Sequence, residues 1–368
     1  MQFVLLDGRE IAAAQPTLAA GQLTAAGLAD GLPLEEVRGI RVRPASTFSA
    51  KGRTLVRLVG GGQMAASGVA IGDDLCTLET AVAGSLKLPI DAIRSIAFDA
   101  DKLPGDYQRA IAEPSADFDR LFVQVEKAVD SLPGLIESLD RAEVHFEADG
   151  KPEKLPRTRL LGIVIAQPRA TDEPPPCELT LSDGSTLGGE LTASKEGHLT
   201  LKVGGEQATI PWAAIAKVAL RSPRMDYLSD LKPTVAEQQP IVTLPRPWQK
   251  NRNYLGKPLT LGGRTFDRGI GTHSRSLLTF DLDGQYEQFA AIVGIDAATE
   301  GKGDCVMTVL GDGNSLWSQR VKGTDPAREV KLEVNGVRQL TLLVEPGEEL
   351  DLADHANWCD ARLIRPAK

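Results

Sequence analysis

Residues 264–282 read RTFDRGIGTHSRSLLTFDL, and residues 351–364, near the end of the chain, read DLADHANWCDARLI. These stretches hold two of the four His residues and one of the four Trp residues, among small residues and turn formers. Between them lie the patterns FAAIVGID (289–296), CVMTVLGDG (305–313) and QLTLLV (339–344). Such short apolar or alternating runs, separated by turn signals, predict strands. Together they predict a β-sandwich with binding groups in its loops.

Four short motifs follow one another in this part of the chain: GIGTH at 269–273, VGID at 293–296, GDG at 311–313 and DHANWCDARL at 354–363. In residues and order they resemble the NPCBM/NEW2 family, the carbohydrate-binding modules grouped as family 51. The resemblance covers residues 240–368. It departs at Asn357, where the family often has Asp, and at Cys359, where it has a small residue.

The resemblance implies a jelly-roll, galactose-binding-like sandwich that holds a terminal sugar such as galactose without catalysis. It also implies a secreted, periplasmic or cell-surface protein, because such modules usually act outside the cytoplasm. The start, MQFVLLDG, has no charged segment followed by an apolar one. Either a signal peptide has been removed or the protein is cytoplasmic.

Composition narrows the classes of partner. The chain has 368 residues and a net charge of −9, which argues against nucleic acid or an anionic membrane as partner, since both require clustered Lys and Arg. No apolar run reaches the ~20 residues needed to span a bilayer. The four cysteines lack C-x-x-C spacing. We expect buried thiols, with a Cys305–Cys359 pair as the alternative.

The first two-thirds of the chain is an internal repeat. Four segments share one order of elements, namely residues 3–42, 55–98, 121–165 and 178–220. Each reads as strands joined by turns, then an apolar-Pro step, a short 3₁₀ turn and a last strand. The alignment also predicts strands over 117–139, where local propensity alone favours a helix.

The repeats predict an all-β chain of small SH3-like or Sm-like barrels, by analogy of fold only. Spacing suggests two pairs, residues 1–100 and 115–222, joined by a polar, turn-rich segment. The sandwich follows at 223–368. The Pro-rich segment 167–176 should be an exposed, stiff loop.

A sugar site needs an aromatic ring beside planar polar side chains that satisfy hydroxyl groups. The two opening stretches supply seven such candidates, which are Thr272, His273, Arg275, Asp354, His355, Asn357 and Trp358. For Trp358 a place in the core stays open, and for His273 a turn cap.

The other aromatic and His residues read as structural. Trp212 suits a repeat core, Trp248 the first strand of the sandwich, and Trp317 packing after a turn. His145 and His198 lie on repeat strands. We find no nucleophile motif and no isolated carboxylate in an apolar frame, so the sequence predicts no enzyme.

The similarity to other sandwich modules also suggests a structural Ca²⁺, with Asp296 and Asp360 as ligands and Asp304 behind them. Two further functions stay open beside glycan binding. The barrels would bind other proteins through strand edges, with the sugar site lost through Asn357 and Cys359. Alternatively, the chain would be an accessory part of a glycoside hydrolase system.

Overall fold

A computed structural model describes residues 1–19, 21–28, 31–167, 174–242 and 245–367. It confirms the all-β class. The chain divides into two compact units, Met1–Ser222 and Pro223–Lys368. Among the described residues, no helix is long and apolar enough to cross a membrane.

The N-terminal unit contains four segments with the same element order. Its strands are β1 (Gln2–Leu5), β2 (Glu10–Ala12), β3 (Ala14–Ala19), β4 (Gln22–Ala26), β5 (Leu32–Pro33), β6 (Val37–Arg41), β7 (Thr54–Leu58), β8 (Gln63–Gly72), β9 (Leu75–Thr80), β10 (Gly84–Pro89), β11 (Ile93–Ala97), β12 (Asp119–Val125), β13 (Ala128–Leu139), β14 (Glu143–Ala148), β15 (Lys151–Pro156), β16 (Leu160–Val164), β17 (Cys177–Leu181), β18 (Thr186–Lys195), β19 (His198–Val203), β20 (Glu206–Pro211) and β21 (Ile215–Leu220).

A 3₁₀ helix follows the apolar-Pro step in every segment. The four helices are Leu34–Glu36, Ile90–Ala92, Arg157–Arg159 and Trp212–Ala214. Proline fixes the backbone and cannot donate to a ladder, so the second-to-last strand of each segment stops there and the chain turns into the last one. This confirms the predicted 3₁₀ turns, and β12 and β13 confirm strands over 117–139. The SH3-like comparison stays a prediction.

The segments pair in a nested order. The last strand of the second, β11, pairs antiparallel with the last strand of the third, β16, and Ile96 faces Ile163. The last strand of the first, β6, pairs in the same way with that of the fourth, β21, and Ile40 faces Val218. The structure therefore differs from the expected pairs 1–100 and 115–222. Spacing along the chain does not report which strand edges complement each other.

The joint between the middle segments contains one α-helix, α1 (Gly105–Ala112), after a 3₁₀ turn at Ala100–Lys102. Tyr107 is buried and its ring meets Phe122 edge-on at 5.2 Å. Tyr107, Ala110 and Ile111 share one helix face because their spacing is three and four. The sequence predicted a polar, turn-rich connector here. That prediction missed the helix, because it overlooked the apolar face formed by these three residues. Most of the predicted 167–176 loop lies outside the described residues.

The C-terminal unit is a β-sandwich, as predicted. Its strands are β22 (Met225–Tyr227), β23 (Val235–Gln238), β24 (Gln249–Lys250), β25 (Leu259–Leu261), β26 (Arg264–Phe266), β27 (Gly269–His273), β28 (Ser276–Asp281), β29 (Gln288–Ile295), β30 (Asp304–Gly311), β31 (Asn314–Lys322), β32 (Arg328–Glu333), β33 (Gln339–Pro346) and β34 (His355–Ile364), with 3₁₀ helices at Leu228–Asp230 and Ala297–Thr299.

Two sheets enclose the core of this unit. One has the order β24-β27-β34-β29-β32, with β22 also on β34, and the other has β23-β28-β33-β30-β31. Trp358 and Phe280 are fully buried between them. Trp317 packs on the core edge, as does Trp248, which immediately precedes β24.

All four cysteines are free and buried. Cys305 belongs to the sandwich core, whereas Cys359 packs with Leu259 and Leu261 on the outer side of its sheet. The expectation of buried thiols therefore agrees with the structure, and the Cys305–Cys359 pair is not formed. Burial raises the pKa of Cys76 and of Cys177 to about 12, which keeps both thiols protonated.

Candidate functional site

The two opening motifs form neighbouring strands, and this brings their His residues together. GIGTH is strand β27, DHANWCDARL forms most of β34, and His273 lies directly opposite His355. Side chains alternate between the faces of a strand, so His355 and Asn357 share one face and Ala356 and Trp358 the other. The alternation of side chains along β34 therefore divides the predicted sugar-binding residues into a polar group on the outer face of the sheet and a second group on the inner face.

Tyr254 joins the two His side chains. Its ring centroid is 4.7 Å from that of His273 and 5.2 Å from that of His355, and the two imidazoles are 5.7 Å apart. Tyr254 and His273 are almost fully buried, whereas His355 is half-buried. The three rings form the floor of the site, with His355 as its accessible part.

Gly271 explains how Tyr254 reaches this position. A Cβ at residue 271 would lie 2.3 Å from the Arg252 carbonyl oxygen. The missing side chain therefore lets the segment before Tyr254 pass directly over β27. Sequence reasoning missed Tyr254 because this segment is irregular and belongs to none of the four motifs. Its one signal is that it is one of four Tyr in the chain.

The surroundings of both imidazoles favour the neutral form, because they lower both pKa values. Burial lowers the pKa of His273, and the Ser274 backbone and the charge of Asp351 oppose this only in part. Burial also lowers the pKa of His355, with further lowering from His273 and Arg246. Neither nitrogen of His273, nor Nδ1 of His355, makes a well-formed hydrogen bond to a described residue. A neutral imidazole offers one donor and one acceptor, and these three nitrogens are buried without a partner among the described residues.

Asp296 anchors the segments around the site through hydrogen bonds to its carboxylate. Its carboxylate accepts hydrogen bonds from Asn357 Nδ2 at 2.6 Å and Asn253 Nδ2 at 3.0 Å. It also accepts from the Thr260 backbone and hydroxyl and from the Ala298 backbone. Asn357 thus donates a hydrogen bond to a buried carboxylate. An Asp at this position could do so only if it were protonated. Asn253 also fixes the turn leading from Tyr254, since its Oδ1 accepts from Leu255 and Lys257.

Two more carboxylates shape the loops beside the His pair. Asp354 is buried and accepts from the Asp304 backbone at 2.7 Å. Burial raises the pKa of Asp354 to about 6, although this hydrogen bond and the Ser274 hydroxyl lower it. Asp351 accepts from the backbones of Ile241 and Val242 and so ties this loop to the segment before β24.

The remaining predicted residues lie elsewhere. Trp358 is fully buried in the core, and Thr272 faces the same way, with its hydroxyl 3.4 Å from the Ala356 carbonyl oxygen. Neither side chain therefore reaches the floor made by the rings. Arg275 is exposed at the turn after β27, with a left-handed φ of 57°.

A shallow depression adjoins the His pair. It measures about 370 Å³ and is lined by Ala236, Gln238, Pro245, Arg246, Pro247 and Trp248. Arg246 connects it to the rings, because its guanidinium carbon lies 5.9 Å from the Tyr254 centroid and its charge acts on His355. Sequence reasoning named Trp248 but not Arg246, which carries no motif.

The residues predicted for calcium do not fit a shared ion. The Asp296 oxygens are engaged by five donors, and Asp360 pairs with Arg362 at 2.9 Å. Asp304, the third candidate, forms an ion pair with Arg320. In the described ranges, no group of three His, Cys, Asp or Glu side chains is arranged to hold a metal.

Comparison with known proteins identifies this unit. Residues 224–364 match the family model described as "NPCBM/NEW2 domain", so the C-terminal unit is a domain of this family of carbohydrate-binding modules. A putative endo-alpha-N-acetylgalactosaminidase of Renibacterium salmoninarum is 34% identical over 110 residues, which is 30% of this chain and 7% of the relative. An alpha-1,3-galactosidase B of Akkermansia muciniphila is 27% identical over 115 residues, 30% of this chain and 14% of the relative.

One solved structure is the family 51 module of a Clostridium perfringens GH95 protein in complex with methyl-galactose. The two chains are 27% identical, and the match covers 38% of this chain and 99% of the solved chain, with a TM-score of 0.35. This chain spans less than a sixth of the length of either curated relative.

Proposed function

We propose that the C-terminal unit is a non-catalytic module that binds a terminal galactose-type sugar over Tyr254, His273 and His355. The observation that carries the proposal is the unused hydrogen-bonding capacity of the two neutral imidazoles. Buried polar groups normally have partners, so a cluster without them indicates a ligand that supplies them. Sugar hydroxyls both donate and accept, which matches a pair of neutral imidazoles.

The rim supports a small, shallowly bound ligand. Arg246 is exposed and donates only, so it suits a ring oxygen or a hydroxyl oxygen. Trp248 is half-buried and offers part of an apolar face for the C–H side of a sugar ring. The two curated relatives are named as an N-acetylgalactosaminidase and a galactosidase, and we extend the galactose-type sugar class of these names to this chain.

The wider role follows from the same proposal. The protein would act outside the cytoplasm and bring the sandwich to a glycan as an accessory part of a glycoside-degrading system. A structural calcium ion at Asp296 and Asp360 is not part of this proposal, because both carboxylates already have protein partners. The alternative, in which the repeats bind proteins through strand edges, stays a prediction. The β15 edge works against it, because Lys151, Lys154 and two prolines hinder pairing with another strand.

The test is a glycan array probed with the full chain and two matched variants. His355→Ala removes the accessible imidazole, whereas His145→Ala removes an exposed imidazole of the N-terminal unit. We expect binding to glycans with terminal galactose, weakened at least about tenfold by His355→Ala and unchanged by His145→Ala. A folded wild type that binds no glycan would overturn the proposal. So would a His355→Ala protein that binds as the wild type does.

A further inference from the structure

A second cavity lies in the N-terminal unit, at the turn between β7 and β8. It measures about 440 Å³ and is lined by Arg57, Leu58, Gly60, Gly61, Gly62, Gln63, Arg94 and Ile111. This volume falls in the range of small-ligand sites, roughly 300–1,000 Å³. The lining set, drawn from the described residues, contains two Arg and no Asp or Glu, in a chain whose net charge is −9.

The two guanidinium groups come from paired strands. Arg57 is on β7 and lies opposite Ser95 of β11, and the register shifts between Ile93 and Ser95. Arg94 occupies this irregularity, so both side chains reach the same cavity although they are not directly opposite. Both are half-buried. The backbone of Arg57 is paired in the sheet on both sides. Its side chain makes no hydrogen bond or ion pair with another described residue, which leaves its N–H donors open to a ligand.

A glycine turn forms the facing wall. Gly60 and Gly61 have φ values of 81° and 101°, in the region that favours glycine. A Cβ on Gly62 would lie 2.9 Å from the Thr186 carbonyl oxygen. The Leu58 N–H donates to the Gly62 carbonyl oxygen at 2.8 Å and closes the turn. The wall is therefore backbone without side chains, and this allows an anion to approach main-chain N–H groups closely.

The cavity also has apolar parts and a fixed base. Leu58 and Ile111 contribute aliphatic surface. Below, the charge of Arg57 acts on the hydroxyl of buried Tyr107 and lowers its pKa, as Ser95 does, although burial raises that pKa more. Arg57 is half-buried rather than fully extended into solvent.

We propose that this cavity binds a tetrahedral oxyanion carried on a small organic group, as a sulfate or phosphate monoester. The planar fork of each guanidinium group can donate two parallel hydrogen bonds to two oxygens of such an oxyanion. The volume and the aliphatic surface accommodate the carbon part. The site lies in the N-terminal unit and does not depend on the sugar pocket.

The test is isothermal titration calorimetry of the full chain with 4-nitrophenyl sulfate and 4-nitrophenyl phosphate. These probes contain no sugar, and the Arg57 and Arg94 variants separate binding in this cavity from any binding at the C-terminal pocket. The variants are Arg57→Gln and Arg94→Gln, with Arg57→Lys to retain the charge and exposed Arg141→Gln as the matched control. Far-UV circular dichroism checks that each variant is folded.

We expect at least one ester to bind, with affinity lowered at least about tenfold by either Gln variant, less by Arg57→Lys, and not by Arg141→Gln. The tighter of the two esters distinguishes sulfate from phosphate. The proposal is wrong if neither ester binds, or if both Gln variants bind like the wild type. It is also wrong if inorganic phosphate binds as tightly as the esters, because the organic group then contributes nothing.

Discussion

In the N-terminal unit, three buried side-chain nitrogen or oxygen atoms lack a hydrogen-bond partner among the described residues, whereas the smaller C-terminal unit has thirteen. The repeats use their buried polar groups to close turns and ladders, as Asp119 does for the Ile136 and Ala166 backbones. In the sandwich, many of the buried polar groups without a partner lie around the strand ends that carry His273 and His355. Unsatisfied buried polar groups cost stability, so the C-terminal unit bears more of this cost than the N-terminal unit.

The two buried Trp residues show this contrast most directly. Trp212 donates from Nε1 to the Ser194 hydroxyl at 3.0 Å, and Ser194 in turn donates to the Pro16 carbonyl oxygen. Trp358 is fully buried, and its Nε1 bonds to no described residue. The ring of Trp358 thus contributes through volume and apolar contact, and that of Trp212 also through a hydrogen bond.

The largest expected effect comes from Trp358→Ala, which should lower the free energy of unfolding of the C-terminal unit by about 3–5 kcal/mol. Trp358→Phe should cost clearly less, because it keeps most of the volume and removes no hydrogen bond to a described residue. Trp212→Phe should cost more than Trp358→Phe, since it removes a donor to Ser194. Hydrogen exchange with mass spectrometry measures each unit separately. If Trp358→Phe and Trp358→Ala lowered the free energy of unfolding equally, the claim that Trp358 contributes mainly through volume and apolar contact would be wrong.

Asp296→Ala should be nearly as severe, because it removes the acceptor of five hydrogen bonds. We expect a loss of about 3–5 kcal/mol for this buried charged acceptor. Asp119→Ala removes the acceptor of two backbone hydrogen bonds in the other unit, and its cost should be about 2 kcal/mol. The same exchange experiment compares the two, and an Asp119→Ala effect as large as that of Asp296→Ala contradicts the expectation.

A smaller effect concerns the pH dependence of stability at Asp354. Its pKa is about 6 when folded and 3.8 as a model value, so the stability it contributes is present below pH 3.8 and lost as pH rises through 6. Asp354→Asn imitates the protonated form. Relative to the wild type, the variant should therefore gain roughly 2–3 kcal/mol between pH 4 and pH 8.

Melting temperatures measured across this pH range test the prediction. Asp304→Asn is the control of opposite sign, because the hydrogen bond from Arg320 holds the pKa of Asp304 below its usual range. Stability linked to Asp304 is present at neutral pH and lost on acidification, so Asp304→Asn should do most harm at high pH. A pH-independent difference between Asp354→Asn and the wild type would show that Asp354 does not titrate in this way.

The smallest expected effect follows from removing calcium. Since the donors around Asp296 and the Arg362 beside Asp360 already engage those carboxylates, a chelator should leave the melting temperature of the C-terminal unit unchanged. The N-terminal unit is the internal reference. A fall confined to the C-terminal unit would show that an ion is bound there by other residues.

The sequence predicted those features that depend on local chemistry. The apolar-Pro steps fixed the position of each 3₁₀ turn, and the four motifs located the sandwich strands and the two His residues. Strand parity alone would also have separated Trp358 from His355, because they are three residues apart in one strand. The order of repeat pairing was not predictable, since it depends on contacts between strands far apart in the chain.

Part of the candidate site was hidden for a similar reason. Tyr254 and Arg246 come from irregular segments, and tertiary packing alone brings them to His355. The sequence shows Gly271 as part of its motif. Why glycine is needed there, namely because residues 252–253 pass over the strand, becomes clear only from the fold.

The nested pairing also bears on how the chain forms during synthesis. The inner contact, β11 with β16, becomes available once residue 164 has left the ribosome, whereas β6 must wait for β21, which ends at Leu220. Chains are made at about 5–20 residues per second, so the first segment spends roughly 10–35 seconds without its partner strand. During this interval the side of β6 that does not pair with β1 is an open strand edge, at which nascent chains can mispair with one another.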